Sequence, residues 1–238
     1  MNLAIDIGNT TVKAALFSKS RMLEAHVQPE ELDDVLQKHR IARAIISRTG
    51  ENHEVENKLR EKGIKTTVLN SALQLPVTIC YTTPETLGAD RIAGSVGAHA
   101  LFPNTNVLKI DFGTCITYDF INHKNEFEGG AISPGMMMRF KALHNYTAKL
   151  PLIDPMQFTA YELTGTDTAH SILSGVMNGI KTEVEGIIKE YEARFENLKV
   201  VATGGDAGLF VTLLKSEIFA RPYLVLEGLN CILNYNPE

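Results

Sequence analysis

Asp6 interrupts the apolar run Leu3–Ile7 and is followed at once by Gly8, Asn9, Thr10 and Thr11. A carboxylate beside a glycine turn and several side-chain donors is a combination that holds a phosphate and its Mg²⁺. Glycine lets the backbone approach an anion, Asn9 and the threonines donate hydrogen bonds, and Asp6 takes the metal or its waters. Taken alone, the same residues also fit a β-hairpin with an Asn-Thr turn and an ion-paired aspartate. The pattern returns, however, at Val107–Phe112: an apolar run, Asp111, one residue, Gly113 and Thr114, then an alternating strand. Two copies, one near the start of each half, predict two related sub-domains, 1–106 and 107–238, each presenting a hairpin to one nucleotide.

A third group lies where the first half meets the second. The polar stretch Cys80–Arg91 leads into Ile92–Leu101, a small-residue helix suited to close packing. The turn Gly88-Ala89-Asp90-Arg91 puts a carboxylate, a guanidinium and free N–H groups at a helix N-terminus, where an anion binds well. By itself, Asp90 fits a helix cap with Arg91 paired to it; its place at the junction favours a functional role. Further on, Asp167 or Thr168 either caps the long helix 169–195 or presents its side chain to a ligand over that N-terminus. The run Thr203-Gly-Gly-Asp-Ala-Gly208 lets backbone approach a flat or phosphorylated ligand. His144 is expected to be a surface or packing residue, and Met136, Met137 and Met138 to fill gaps in the core.

The elements that carry these residues follow from alternation and helical spacing. Three antiparallel strands run to His26. A helix over 29–39 opens with Pro and acidic residues and ends on basic ones. A strand over 42–47, a helix over 53–62 and a strand over 66–69 follow. This β-β-β-α-β-α-β order is that of an RNase H-like sub-domain. Two such halves, with mixed sheets flanked by helices and nucleotide in the cleft between them, resemble the α/β fold of the superfamily of actin, sugar kinases and heat-shock ATPases. In the second half, strands end in a glycine-proline turn at 134–135, a helix covers 137–149, and a short strand and closing helix follow Tyr223.

Composition excludes other classes. A formal net charge of −5 with scattered Lys and Arg supplies no basic face for nucleic acid or an acidic membrane. No apolar stretch approaches the roughly 18 residues of a membrane span, and the chain enters a strand at Leu3 without a leader-like segment. Cys80, Cys115 and Cys231 are far apart in apolar runs, which predicts buried free thiols and a cytoplasmic protein.

Six motifs in order, Asp6–Lys13, Leu87–Arg91, Asp111–Thr114, Gly129–Gly135, Thr203–Ala207 and Leu226–Leu229, closely resemble those of the type III pantothenate kinases. The resemblance implies ATP-dependent phosphorylation of pantothenate to 4′-phosphopantothenate, the first committed step toward coenzyme A. It also implies a homodimer using Mg²⁺ and a monovalent cation, K⁺ or NH₄⁺. Carried over by position, Asp6, Ile7, Gly8, Asn9, Thr10, Thr11, Val12 and Lys13 form the nucleotide loop, with Thr114 a second phosphate contact and Asp6 a Mg²⁺ ligand. Asp90 is the implied proton acceptor, Asp111 the monovalent-cation ligand, and Tyr81, Gly88, Ala89, Asp90, Arg91 and Thr168 the pantothenate contacts. Two departures stand out: Ile46-Ser-Arg-Thr49 replaces a valine-rich, proline-ended turn, and Cys115-Ile116 replaces smaller residues. The rival readings are a sugar or acetate kinase of the same fold and a non-catalytic ligand-binding regulator.

Overall fold

The computed structural model describes residues 1–8, 11–26, 29–48, 53–70 and 72–237; Asn9 and Thr10 of the expected nucleotide loop, and Thr49, lie outside them. The chain forms two compact units. The first comprises Met1–Lys109, Asp119–Gly130 and Tyr223–Glu238, and the second Ile110–Tyr118 and Ala131–Pro222.

In the first unit, β1 (Asn2–Ile7), β2 (Val12–Ser18) and β3 (Arg21–His26) form the expected antiparallel meander, with Asp6 opposite Lys13. Helix α1 (Pro29–Lys38) leads to β4 (Arg43–Arg48), which pairs parallel to β1. Helix α2 (Glu54–Glu61) leads to β5 (Lys65–Val68), parallel to β4. The sheet order is β3-β2-β1-β4-β5. Because side chains alternate across a strand, Leu3, Ile5 and Ile7 meet Leu32, Val35 and Leu59 of α1 and α2 on one face. Ala4 points to the other, against Ala93 and Val96 of α3 (Ala89–Leu101) and Leu226, Leu229 and Ile232 of α7 (Leu224–Tyr235). Asp6 shares the parity of Ala4, so it extends from the α3/α7 face of the sheet.

Helices α3 and α7 pack backbone to backbone. A Cβ at Gly228 would stand 1.7 Å from the Ala93 carbonyl oxygen, and one at Gly97 would stand 2.5 Å from that of Leu224. The small-residue helix expected from the sequence is therefore small because another helix lies directly on it.

The remaining strands are β6 (Thr78–Ile79), β7 (Val107–Phe112), β8 (Cys115–Ile121), β9 (Glu126–Pro134), β10 (Lys199–Thr203) and β11 (Phe219–Ala220), in the order β11-β10-β7-β8-β9-β6. β10 runs parallel to β11, and β6 parallel to β9. Helices α4 (Met136–Asn145), α5 (Thr168–Glu192) and α6 (Ala207–Leu213) lie in the second unit. Ile172, Val176, Ile180, Val184 and Ile188 recur at helical spacing as the buried stripe of α5. Both sheets are mixed and flanked by helices, as expected for the fold class. Among the described residues, no helix is long and apolar enough to cross a membrane.

Several local expectations are corrected. None of the three cysteines is buried: Cys80 is exposed, and Cys115 and Cys231 are partly exposed free thiols. Met136 fills core, but Met137 and Met138 are each 38% exposed, because consecutive helical residues point in different directions. β6 was not anticipated, and a strand of two residues carries too little pattern to be read.

Candidate active site

Asp6 stands at the end of β1 beside Ser47 of β4, its partner in the parallel register. The fully buried Ser47 donates from Oγ to Asp6 Oδ1 at 2.9 Å, fixing one carboxylate oxygen. The following turn is closed by Gly8 N–H donating to the Thr11 carbonyl at 3.0 Å. Ser47 falls within a stretch that departs from the family pattern, which was the only sequence signal for it. Among the described residues, no three His, Cys, Asp or Glu side chains are grouped to hold a metal. One oriented carboxylate fits Mg²⁺ nonetheless, since that ion is commonly held by one or two carboxylates with phosphate oxygens and water.

The segment 81–91 is built differently from a simple cap. Gly88 is the N-cap of α3 and gives no side chain, and the helix begins at Ala89, three residues earlier than expected. Asp90 is in the first turn, with its Oδ1 2.5 Å from where a Gly88 Cβ would be. Arg91 does not pair with Asp90. Its Nε donates to Asp119 Oδ1 at 2.7 Å, and Nη2 lies 2.6 Å from the same oxygen. Nη2 is buried against that oxygen as an ion-pair contact rather than an aligned hydrogen bond. Burial works against the Arg91 charge, but Asp119 and a hydrogen bond with Tyr81 outweigh it and raise the pKa above the ordinary arginine value. The guanidinium carbon lies 5.7 Å from the Tyr81 ring centroid and 5.8 Å from that of Phe127, within cation–π range. Tyr81 in turn lies beside Gly129, whose φ of +115° is a backbone conformation that favours glycine. Tyr81, Gly88, Asp90 and Arg91 are thus one cluster in the first unit.

In the second unit, Asp111 and the Gly113-Thr114 turn are gripped from two sides. Gly204, at φ +98°, follows β10, and a Cβ there would stand 2.5 Å from Asp111 Oδ1. Asp206 N–H donates to the Phe112 carbonyl at 3.0 Å, and burial pushes the Asp206 carboxyl above the usual range. On the other side, Gly135 N–H donates to the Thr114 carbonyl at 3.1 Å. The glycine at 204 thus lets the end of β10 pack directly on the Asp111 carboxylate and the Phe112 backbone.

The turn before Gly135 is braced by a network absent from the sequence reading. Arg139 donates from Nε to the Pro134 carbonyl at 2.8 Å, and from Nη2 to Ser133 Oγ at 2.8 Å and Glu183 Oε2 at 2.5 Å. Tyr118, fully buried, donates to Glu183 Oε1 at 2.8 Å. Burial would raise the Glu183 pKa, but hydrogen bonds from Arg139, Ser133 and Tyr118 prevail and lower it.

Of the alternatives at the start of α5, Asp167 is the cap: its carboxylate accepts from His170 N–H at 2.9 Å. Thr168 is then the first helical residue and lines an open cavity of about 610 Å³ with Leu143, Leu150 and Ser171. His144 is exposed, with its Nδ1 2.8 Å from the Leu150 carbonyl oxygen, which is a surface role.

Residues 2–190 match the family model for type III pantothenate kinase. The chain belongs to the type III pantothenate kinase family. Full-length relatives agree: proteins named type III pantothenate kinase from Christiangramia forsetii and Cytophaga hutchinsonii are each 44% identical. The first match covers 99% of both chains, the second 99% of this chain and all of the other. Solved structures similar in fold include a Campylobacter jejuni protein provisionally assigned to the Baf transcriptional activators, with TM-score 0.64, 20% identity and 99% and 98% coverage. Another is a ROK family glucokinase from Streptomyces griseus, with TM-score 0.52, 13% identity and 97% and 98% coverage.

For this pantothenate kinase family member, the contact at Gly88 yields a first test. A methyl group there can be accommodated only by swinging the Asp90 carboxylate, the flexible end of the contact. Gly88→Ala is expected to lower kcat by about tenfold to a hundredfold, the cost of moving by about an ångström the carboxylate expected from the family resemblance to accept the proton. Its thermal midpoint should stay near that of the parent, and steady-state kinetics with a melting curve will check both.

Proposed function

We propose that this chain transfers the γ-phosphoryl group of ATP to the primary hydroxyl of pantothenate, giving 4′-phosphopantothenate for coenzyme A synthesis. The observation that carries this reading is membership of the kinase family along the chain, with Asp90 and Arg91 together on the first turn of α3. Two repeated halves, 1–106 and 107–238, supply the acidic turns. Residues Asp6 to Lys13 hold the triphosphate, Thr114 adds a phosphate contact, and Asp6, oriented by Ser47, holds Mg²⁺. That ion would offset charge on the phosphoryl oxygens. Tyr81, Gly88, Ala89, Asp90 and Arg91 bind the acceptor. Asp90 takes the proton of its hydroxyl as phosphoryl transfer proceeds.

Thr168 completes the acceptor site, and a homodimer forms around α5. Ile132, Leu152, Met156 and Leu163, all in the second unit, are between 50% and 81% exposed and supply apolar surface for a second copy to cover. The cytoplasm is the compartment that fits an ATP-using enzyme with three free thiols.

Asp111 holds the monovalent cation. Activity in K⁺ or NH₄⁺ is therefore expected to exceed that in Na⁺ severalfold at equal ionic strength, and Asp111→Asn should reduce the difference. Equal rates in the three salts would count against Asp111. The function itself is tested by ATP consumption over an acceptor panel of pantothenate, hexoses, N-acetylhexosamines and acetate. Turnover with pantothenate alone is the expected outcome. Turnover with a sugar or acetate instead, or none at all, would favour the rival kinases or a ligand-binding regulator.

A further inference from the structure

Asp119 is fully buried and receives a cation on each oxygen, Arg91 Nε at 2.7 Å on Oδ1 and Lys109 Nζ at 2.7 Å on Oδ2. Lys109 is only 1% exposed, and its stem crosses α3 at Gly94, where a Cβ would stand 2.9 Å from Cδ and 3.0 Å from Nζ. The helix therefore has glycine at the place the lysine must pass. Stability is a poor explanation for this arrangement, because apolar residues of similar volume commonly make a core at least as stable as buried ions do. Its geometric result is specific. The Arg91 guanidinium is fixed at Nε by Asp119 and flanked by the Tyr81 and Phe127 rings. Nη2 lies 2.6 Å from the same Asp119 oxygen, so one carboxylate holds the guanidinium at two nitrogens, one residue from Asp90.

We propose that Asp119, held in turn by Lys109, is the positioning residue of the acceptor site. It holds the Arg91 guanidinium in the orientation in which it meets the acceptor's carboxylate and keeps the first turn of α3, with Asp90, in place. This inference rests on the reading that Arg91 contacts the acceptor. Asp119 itself touches no substrate. Asn at 119 retains an oxygen for Arg91 Nε but turns an amide toward Lys109, donor against donor, so the clamp loosens while the volume is kept.

The test measures KM for pantothenate, KM for ATP and kcat in Arg91→Ala, Asp119→Asn, Lys109→Met and the Lys109→Met/Asp119→Asn double variant. Each is first shown to be folded by circular dichroism and thermal melting. Pantothenol, in which a hydroxymethyl group replaces the carboxylate, serves as the second acceptor. Asp119→Asn is expected to raise KM for pantothenate about tenfold, leave KM for ATP within about twofold, and shrink the preference for pantothenate over pantothenol to match. Lys109→Met keeps the Arg91 pair and serves where Asp119→Asn fails to fold; it should raise the same KM about threefold. The double variant should fall short of the product of the single effects, because both residues act through one guanidinium.

A folded Asp119→Asn or Lys109→Met with an unchanged KM for pantothenate would overturn the proposal, as would equal shifts in both KM values accompanied by a lower melting point. Should Arg91→Ala also leave pantothenate binding unchanged, the underlying reading of Arg91 fails. Impaired Arg91→Ala beside normal Asp119→Asn refutes the positioning role alone.

Discussion

Asp90→Asn is expected to lower kcat by about 10²–10⁴-fold, the usual contribution of a positioned base, while ATP and pantothenate still bind. The substitution keeps the shape of the side chain but replaces a charged, proton-accepting carboxylate with a neutral amide that cannot act as a base. Asp90 also supports little structure. The N-cap of α3 is Gly88, without a side-chain bond, and Arg91 pairs with Asp119 rather than with its neighbour. Stability should therefore hardly change, and a loss of rate cannot be ascribed to unfolding. Single-turnover measurements separate transfer from release. Near-normal phosphoryl transfer in the variant would remove Asp90 from the base role, leaving it an orienting group at most.

The largest effect on stability is expected at Gly228. The Cβ of Gly228→Ala would lie 1.7 Å from the Ala93 carbonyl oxygen, 2.7 Å from its carbon and 2.8 Å from the Gly97 nitrogen. All three are backbone atoms of α3, so no rotamer change relieves the contact, and α7 must move away from α3 as a body. Overpacking in cores costs about 1–3 kcal/mol and occasionally more. Here the upper end, about 3 kcal/mol or greater, is expected, because separation also opens the packing of Val96 against Leu226, Leu229 and Ile232. Denaturant titration reads the loss directly. A cost below about 1 kcal/mol would mean that the two helices slide past each other freely. Any Gly228→Ala protein that remains folded should bind pantothenate less well, since α3 carries Asp90 and Arg91.

The parts legible in the sequence were those with a local cause. Alternation in Leu3–Ile7 and in Ala14–Phe17 marked β1 and β2, and the proline and acidic start of α1 marked its N-terminus. Gly88 and Asp90 stood out because a polar turn before an apolar helix is unusual for a mere connection. What escaped were side chains whose meaning depends on partners distant in the chain. Lys109 and Asp119 sit within strands that are otherwise apolar, and nothing near them shows that they meet across neighbouring strands beneath α3. Ser47 needed the parallel register of β1 and β4 before its hydroxyl could be placed on Asp6. The Arg139–Glu183 pair joins the start of α4 to the middle of α5, 44 residues apart. The cysteines were misjudged for the opposite reason: apolar neighbours in sequence do not bury a residue at the end of a strand, where Cys80 emerges after β6 and Cys115 opens β8.

The central expectation is that a phosphoryl group passes from ATP to the primary alcohol of pantothenate. Purified protein incubated with pantothenate, ATP, Mg²⁺ and K⁺, and followed by mass spectrometry, should convert pantothenate to a species heavier by one phosphate, with an equal amount of ADP. Pantothenate recovered unchanged from active, folded protein that binds ATP would contradict it.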